Sequence, residues 1–166
     1  PTVVLFDGLD NCKEMSVLFA GLELAYRGFH TLAIDGPGQG EALRLRKIHS
    51  RYDYDIAGTA AYNYIVSRPD VDPKRVGVMA YSFGGYYAPR IAAFEHRYAA
   101  CVVLGALAWD VHAKQLERKR LIESSPKTTS QSPFQLPWVM GKKDMEEAVE
   151  LMKKFTLKDC AKQIQC

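Results

Sequence analysis

No apolar run in the chain approaches the length needed to cross a bilayer, which argues against a membrane-spanning helix. Net charge is scarce as well, +3 over 166 residues. The basic clusters Arg44-Leu45-Arg46-Lys47 and Arg118-Lys119-Arg120 have Glu41 and Glu117 beside them. They read as solvated faces and not as a nucleic-acid surface. Cys12, Cys101, Cys160 and Cys166 form no C-x-x-C pair and have no histidines at metal-ligand spacing, so neither a zinc site nor a disulfide framework is expected. Free thiols fit a reducing, cytoplasmic setting. Repeats and low-complexity tracts are missing, which excludes a solenoid. The chain also lacks an initiating methionine, a basic n-region and an apolar h-region; Pro1 leads almost at once into Val3-Val4-Leu5-Phe6. The expectation is a chain cut at both ends, in which the lack of a targeting signal is uninformative.

What is present is the content of one domain, 48% hydrophobic. Apolar runs of strand length alternate with longer helical segments, the pattern of an α/β protein with a mainly parallel sheet and helices on both faces. Strands are predicted at Val3–Phe6, Thr31–Asp35, Val76–Tyr81 and Ala99–Ala106. Helices are predicted over Met15–Arg27, closed by Gly28, over Ile56–Val66 and over Gly84–Phe94. After Ala106 the pattern changes. Trp109 to Arg120 is amphipathic and basic, Glu123 to Leu136 is rich in Ser, Thr and Pro, and Lys143 to Lys154 is helical. This divides the chain into a partial core (1–106), a helical lid insertion (107–155) and a short return helix (156–166).

The stretch Gly77-Val78-Met79-Ala80-Tyr81-Ser82-Phe83-Gly84-Gly85-Tyr86 carries the chemistry. An apolar strand runs into a serine with a small residue two positions before it, Ala80, and another two after it, Gly84, and then into a helix. That is the G-x-S-x-G nucleophile elbow, with alanine in place of the first glycine. A serine in an ordinary strand-to-helix turn is the alternative. An acyl-transfer serine also needs amide donors for the oxyanion, a base and an acid to orient the base. The donors expected are the amides of Phe83 and, from the loop Asp7-Gly8-Leu9-Asp10-Asn11, of Leu9; helix capping by Asp10 or Asn11 is the other reading of that loop. The loop Asp35-Gly36-Pro37-Gly38-Gln39-Gly40-Glu41 lacks both the Lys-Ser/Thr of a P-loop and the spacing of a dinucleotide fingerprint, so it reads as a tight connection and no cofactor is expected. Of the four histidines only His96 and His112 follow the serine. His96 reads as a helix-end residue. His112, two residues after Asp110, reads as part of a substrate wall or of the lid surface, with His112 and Asp110 only secondary candidates for base and acid; the acid and histidine are expected after Cys166.

Three motifs together, Asp7-Gly8-Leu9-Asp10-Asn11-Cys12-Lys13-Glu14, Asp35-Gly36-Pro37-Gly38-Gln39-Gly40-Glu41 and Ser82-Phe83-Gly84-Gly85-Tyr86-Tyr87-Ala88-Pro89-Arg90, resemble the α/β-hydrolase branch that holds 2,6-dihydropseudooxynicotine hydrolase, fermentation-respiration switch esterase-like proteins and fungal polyketide-shortening pigment hydrolases. The resemblance implies an α/β-hydrolase fold and C–C bond hydrolysis of a β-dicarbonyl or related ketone. Ser82 would be the nucleophile, Phe83 and Leu9 would hold the oxyanion, and Asp10 would orient the substrate, matching a glutamate that is one methylene longer. It also implies homodimerisation and a small-molecule ketone or ester as partner; charge and hydropathy give no expectation of nucleic acid or membrane. A carboxylesterase of the same fold, or a non-catalytic binding protein that keeps the pocket without the triad, are the other readings.

Overall fold

The computed structural model describes residues 1–105, 109–124 and 134–166. Its centre is a parallel sheet of four strands, β1 (Thr2–Phe6), β2 (His30–Ile34), β3 (Val76–Tyr81) and β4 (Ala100–Leu104), in the order β2-β1-β3-β4. Register places Phe6 opposite both Ile34 and Ala80, and Tyr81 opposite Leu104. All four strands therefore end at one edge of the sheet, where loops collect side chains from distant parts of the sequence. The residue expected to close the fourth strand, Ala106, lies outside the described residues.

Strand alternation sorts the core. Val4, Phe6, Val76, Val78 and Ala80 point to one face, in the same cluster as α4 (Asp55–Val66) and α5 (Gly84–Phe94). The rings of Tyr54 and Tyr87 stack there at 3.7 Å, and Phe6 meets Tyr54 edge-on. Leu5 points to the other face, fully buried, beside the first helical segment at Gly21. That segment, expected as one helix, has three parts: α1 (Lys13–Ser16), a π-helical turn (Val17–Gly21) and α2 (Leu22–Tyr26). Along the edge strand β4, Val102, Val103 and Leu104 are exposed.

Two elements escape a periodicity reading. α3 (Gly40–Arg44) is too short for a pattern to emerge, and α7 (Gln135–Met140) begins at the end of the Ser/Thr/Pro-rich stretch and contains Pro137. Burial holds α7 in place: Leu136, Val139 and Met140 join the main core, as do Ala148 of α8 (Met145–Leu151), Met152 and Phe155. Residues 134–155 of the expected lid therefore share the core of the sheet domain. The more polar α6 (Val111–Ser124) follows residues 106–108. The stretch expected as a return helix is instead extended at Thr156, which bridges Asp110, and then holds one 3₁₀ turn, Ala161–Gln163. The Leu157 amide donates to the Trp109 carbonyl, and this pairing across the lid base competes with helix formation. Among the described residues no helix is long and apolar enough to cross a membrane.

Candidate active site

Ser82 follows directly after β3 and adopts φ 58°, in the left-handed region that non-glycine residues rarely enter. A strained serine between a strand and a helix is the signature of the elbow. The turn is held by the Ser82 amide donating to the Leu104 carbonyl (2.8 Å) and by the Gly85 and Tyr86 amides donating to the Ser82 and Phe83 carbonyls. Its small residues are required. A Cβ on Gly84 would lie 2.6 Å from the Ala80 Cβ and 2.7 Å from the Asp7 carbonyl oxygen, a space without flexible atoms to yield. The serine is exposed while Phe83 is buried, so the Ser82 side chain meets solvent at the positive end of α5.

The loop after β1 comes up against it. A Cβ on Gly8 would stand 3.2 Å from the Ser82 Cβ, so glycine is what permits the approach. Among the described residues no hydrogen bond engages the amide of Leu9 or of Phe83, while the neighbouring Gly8 amide is spent on the Asp7 carboxylate (2.6 Å). Two unspent amides thus flank the serine, at the positions from which oxyanion donors are expected. Gln39 orients one of them. This fully buried side chain donates to the carbonyls of Asp7 (2.6 Å) and Gly8 (2.8 Å) and accepts from the Gly36 amide and the Tyr54 hydroxyl. Because a trans peptide points its C=O and N–H in opposite directions, anchoring the Gly8 carbonyl aims the Leu9 N–H away from Gln39. The Asp35-to-Glu41 loop, expected to be structural, therefore braces the site through one glutamine.

A cavity of about 470 Å³ opens over Ser82, lined by Leu9, Asp10, Phe19, Gln115, Arg118 and Gln135 among others. It brings Ser82, Phe83, Leu9 and Asp10 together. The Asp10 carboxylate accepts from the Gln135 side chain (2.9 Å) and lies 3.8 Å from the Arg44 guanidinium, which also donates to the Asp10 carbonyl. Arg44 in turn lies over the Trp138 ring, so α3 and α7 both brace this acid. Asp110 is placed elsewhere: it caps α6 through the Ala113 amide and pairs with Lys158, whose ammonium is the first cause of a carboxyl held below its ordinary range. His112 is half-buried at the start of α6, and no histidine is among the residues lining the cavity. His49 meets the Trp138 carbonyl, His96 the Ala93 carbonyl, and His30 lies 4.0 Å from Asp70. Among the described residues no group of His, Cys, Asp and Glu could hold a metal.

A sequence reading passes over Asp7, Ser16, Gln39 and Tyr81. Asp7, fully buried, accepts from Tyr81 Oη (2.6 Å) and Ser16 Oγ (3.0 Å) besides the Gly8 amide. Burial, then the bond to Asp7, raises the Tyr81 phenol well above its ordinary range. The only signal for Asp7 and Gln39 in the sequence is their position in two of the quoted motifs.

These features can be set beside known proteins. A solved structure of 2,6-dihydroxy-pseudo-oxynicotine hydrolase superposes on the whole chain with a TM-score of 0.83 at 29% identity, the chain covering 43% of it. AbyA5 superposes over 99% of the chain with a TM-score of 0.74 at 21% identity, which speaks for the fold alone. In sequence, the 2,6-dihydropseudooxynicotine hydrolase of Paenarthrobacter nicotinovorans is 35% identical over 115 residues, 67% of this chain and 30% of that protein. The 20-hydroxy-prefusarin hydrolase of Gibberella moniliformis is 29% identical over 106 residues, 61% of this chain and 25% of that one. The chain thus spans less than half the length of these relatives. The family model that matches describes the alpha/beta hydrolases and spans residues 12–154; with the parallel sheet and the elbow already in place, the chain belongs to the alpha/beta hydrolase family.

Proposed function

We propose that the protein is a serine hydrolase working through an acyl-enzyme on Ser82, and that its reaction is hydrolysis of a C–C bond in a polyketide-like β-dicarbonyl or related ketone. The observation that carries this reading is the left-handed, exposed Ser82 set between two unspent amides and facing Gly8. The Ser82 hydroxyl adds to the carbonyl carbon as its proton passes to a base, and the oxyanion accepts from the Leu9 and Phe83 amides. Collapse breaks the C–C bond, and the departing enol-type carbon takes the proton back. Water then adds to the acyl-serine, again losing a proton to the base, and releases a carboxylic acid and free Ser82. The base must come from outside the described residues or arrive by movement of α6, since no histidine lines the cavity. Asp10 supports the ketone reading as an acid within that cavity, and so do relatives named for 2,6-dihydropseudooxynicotine and 20-hydroxy-prefusarin.

One observation favours a simple carboxylesterase instead. The Asp10 carboxylate is already engaged by Gln135 and Arg44, as a loop brace would be. The nucleophile itself is tested by fluorophosphonate labelling of the gene product that carries this chain, with the adduct mapped by mass spectrometry. Ser82 should carry the label and Ser82→Ala should abolish both label and turnover. A label on another serine, with Ser82 untouched, overturns the reading.

A further inference from the structure

The two oxyanion donors belong to different strand ends. Phe83 follows β3 and Leu9 follows β1, and the ladder between those strands closes at Phe6 and Ala80. Beyond that point no backbone hydrogen bond joins residues 8–11 to residues 82–85 among the described residues. The two segments pack closely, Gly8 against Ser82 and Gly84 against the Asp7 carbonyl, and one side-chain cross-link ties them together. Tyr81 Oη donates to Asp7 Oδ2 at 2.6 Å, and Ser16 Oγ donates to the same carboxylate at 3.0 Å, with the two hydroxyl oxygens 3.2 Å apart. The other carboxylate oxygen takes the Gly8 amide, which removes that N–H from competition with Leu9.

We propose that Tyr81 is a positioning residue of this site: through the Asp7 carboxylate its phenol holds the Leu9 and Phe83 amides at the separation that a tetrahedral oxyanion requires. The proposal rests on Ser82 being the nucleophile. Three neutral donors satisfy a fully buried carboxylate that has no salt-bridge partner among the described residues. Burying such a group is costly unless it is hydrogen-bonded, so loss of any one of the three donors is costly and the triangle of Asp7, Ser16 and Tyr81 is held in place. Tyr81 is the residue immediately before the nucleophile, and Asp7 immediately precedes Gly8. A bond between these two side chains therefore couples the elbow to the oxyanion loop with no intervening flexible backbone. The phenol is only partly buried, with the Phe19 ring edge-on to it at 5.8 Å on the cavity side, so it is not fixed by packing alone.

Tyr81→Phe keeps the ring and deletes the cross-link. With p-nitrophenyl butyrate, and with sites counted by fluorophosphonate titration, kcat should fall about 10- to 100-fold while KM stays within about twofold, the range expected when oxyanion donors are misplaced. An aryl trifluoromethyl ketone, which forms an oxyanionic tetrahedral adduct on a reactive serine, should bind more weakly by the same factor. Ser16→Ala, which leaves the Tyr81–Asp7 bond but opens the triangle, should lose about threefold on both readouts and carries the test if Tyr81→Phe does not fold. Unchanged kcat and unchanged ketone affinity per titrated site, with only a lowered melting temperature, would overturn the proposal. If the unmutated protein forms no ketone adduct on Ser82, the nucleophile assignment fails first, and that result is visible without any variant of Tyr81.

Discussion

Backbone strain at Ser82, the proposed nucleophile, leads to a prediction in which losing its side chain raises stability. Ser82 sits at φ 58°, and its hydroxyl makes no hydrogen bond among the described residues. A residue with a Cβ in that conformation costs roughly 1–2 kcal/mol relative to one without. Glycine relieves this cost but adds freedom to the unfolded chain, which takes back roughly 0.4–1 kcal/mol. Ser82→Ala keeps the strain and loses an exposed hydroxyl, so its stability should stay close to that of the unmutated protein. Ser82→Gly should therefore exceed Ser82→Ala by about 0.5–1 kcal/mol, although the proposed mechanism expects both to be inactive. At roughly 2–4 °C per kcal/mol for a domain of this size, the gap in melting temperature should be about 1–4 °C, and urea midpoints should shift the same way with unchanged slope. The assay is paired thermal and urea unfolding of the two variants. A glycine variant no more stable than the alanine variant would refute the claim that the elbow stores backbone strain.

Asp10→Asn should depress cleavage of a β-diketone more than that of an activated aryl ester, which needs little help with its leaving group; equal losses in steady-state kinetics would assign Asp10 to bracing the loop. Gly84→Ala should destabilise the protein by about 1–3 kcal/mol in urea unfolding and lower turnover, because the new methyl group meets Ala80 and the Asp7 carbonyl. Asp35 is pushed up by burial but more strongly held down by the Lys13 ammonium and the Glu41 and Lys13 amides, so its folded pKa lies below the ordinary 3.8. Its contribution is therefore present above about pH 4 and lost as pH falls through the folded value. Asp35→Asn should cost about 1–3 kcal/mol at pH 7, and the difference from the unmutated protein should shrink as pH falls below the ordinary carboxylate range in acid titrations followed by circular dichroism.

Legibility from sequence followed the range of the interactions. The β3 strand, the elbow serine with Ala80 and Gly84 about it, and the helix to Phe94 are all encoded within some twenty consecutive residues, and the structure has the strand and the helix with those same bounds. The first segment was legible as a helix but not as one containing a π turn, since one extra residue in a turn barely disturbs apolar periodicity. α7 was hidden because Pro137 and the polar residues before it suggest a loop, whereas burial of Leu136, Val139 and Met140 decides the matter. The stretch after Phe155 has a helical composition, yet the Leu157 amide is taken by Trp109, 48 residues earlier.

The sequence alone thus determined the α/β class, and it named Ser82, Phe83, Leu9 and Asp10 as candidates for the site, because each of these readings depends on neighbours along the chain. Tertiary structure alone decided how those pieces are held. Gln39 reaches back 32 and 31 residues to the Asp7 and Gly8 carbonyls, and Tyr81 reaches 74 residues to the Asp7 carboxylate. Such bonds exist only because the strand order β2-β1-β3-β4 seats β1 between β2 and β3, so that the loops leaving all three strands meet at one edge. Local composition sets which residues can form a strand or a turn; which of those turns become neighbours is a property of sheet order, and no short-range pattern records it.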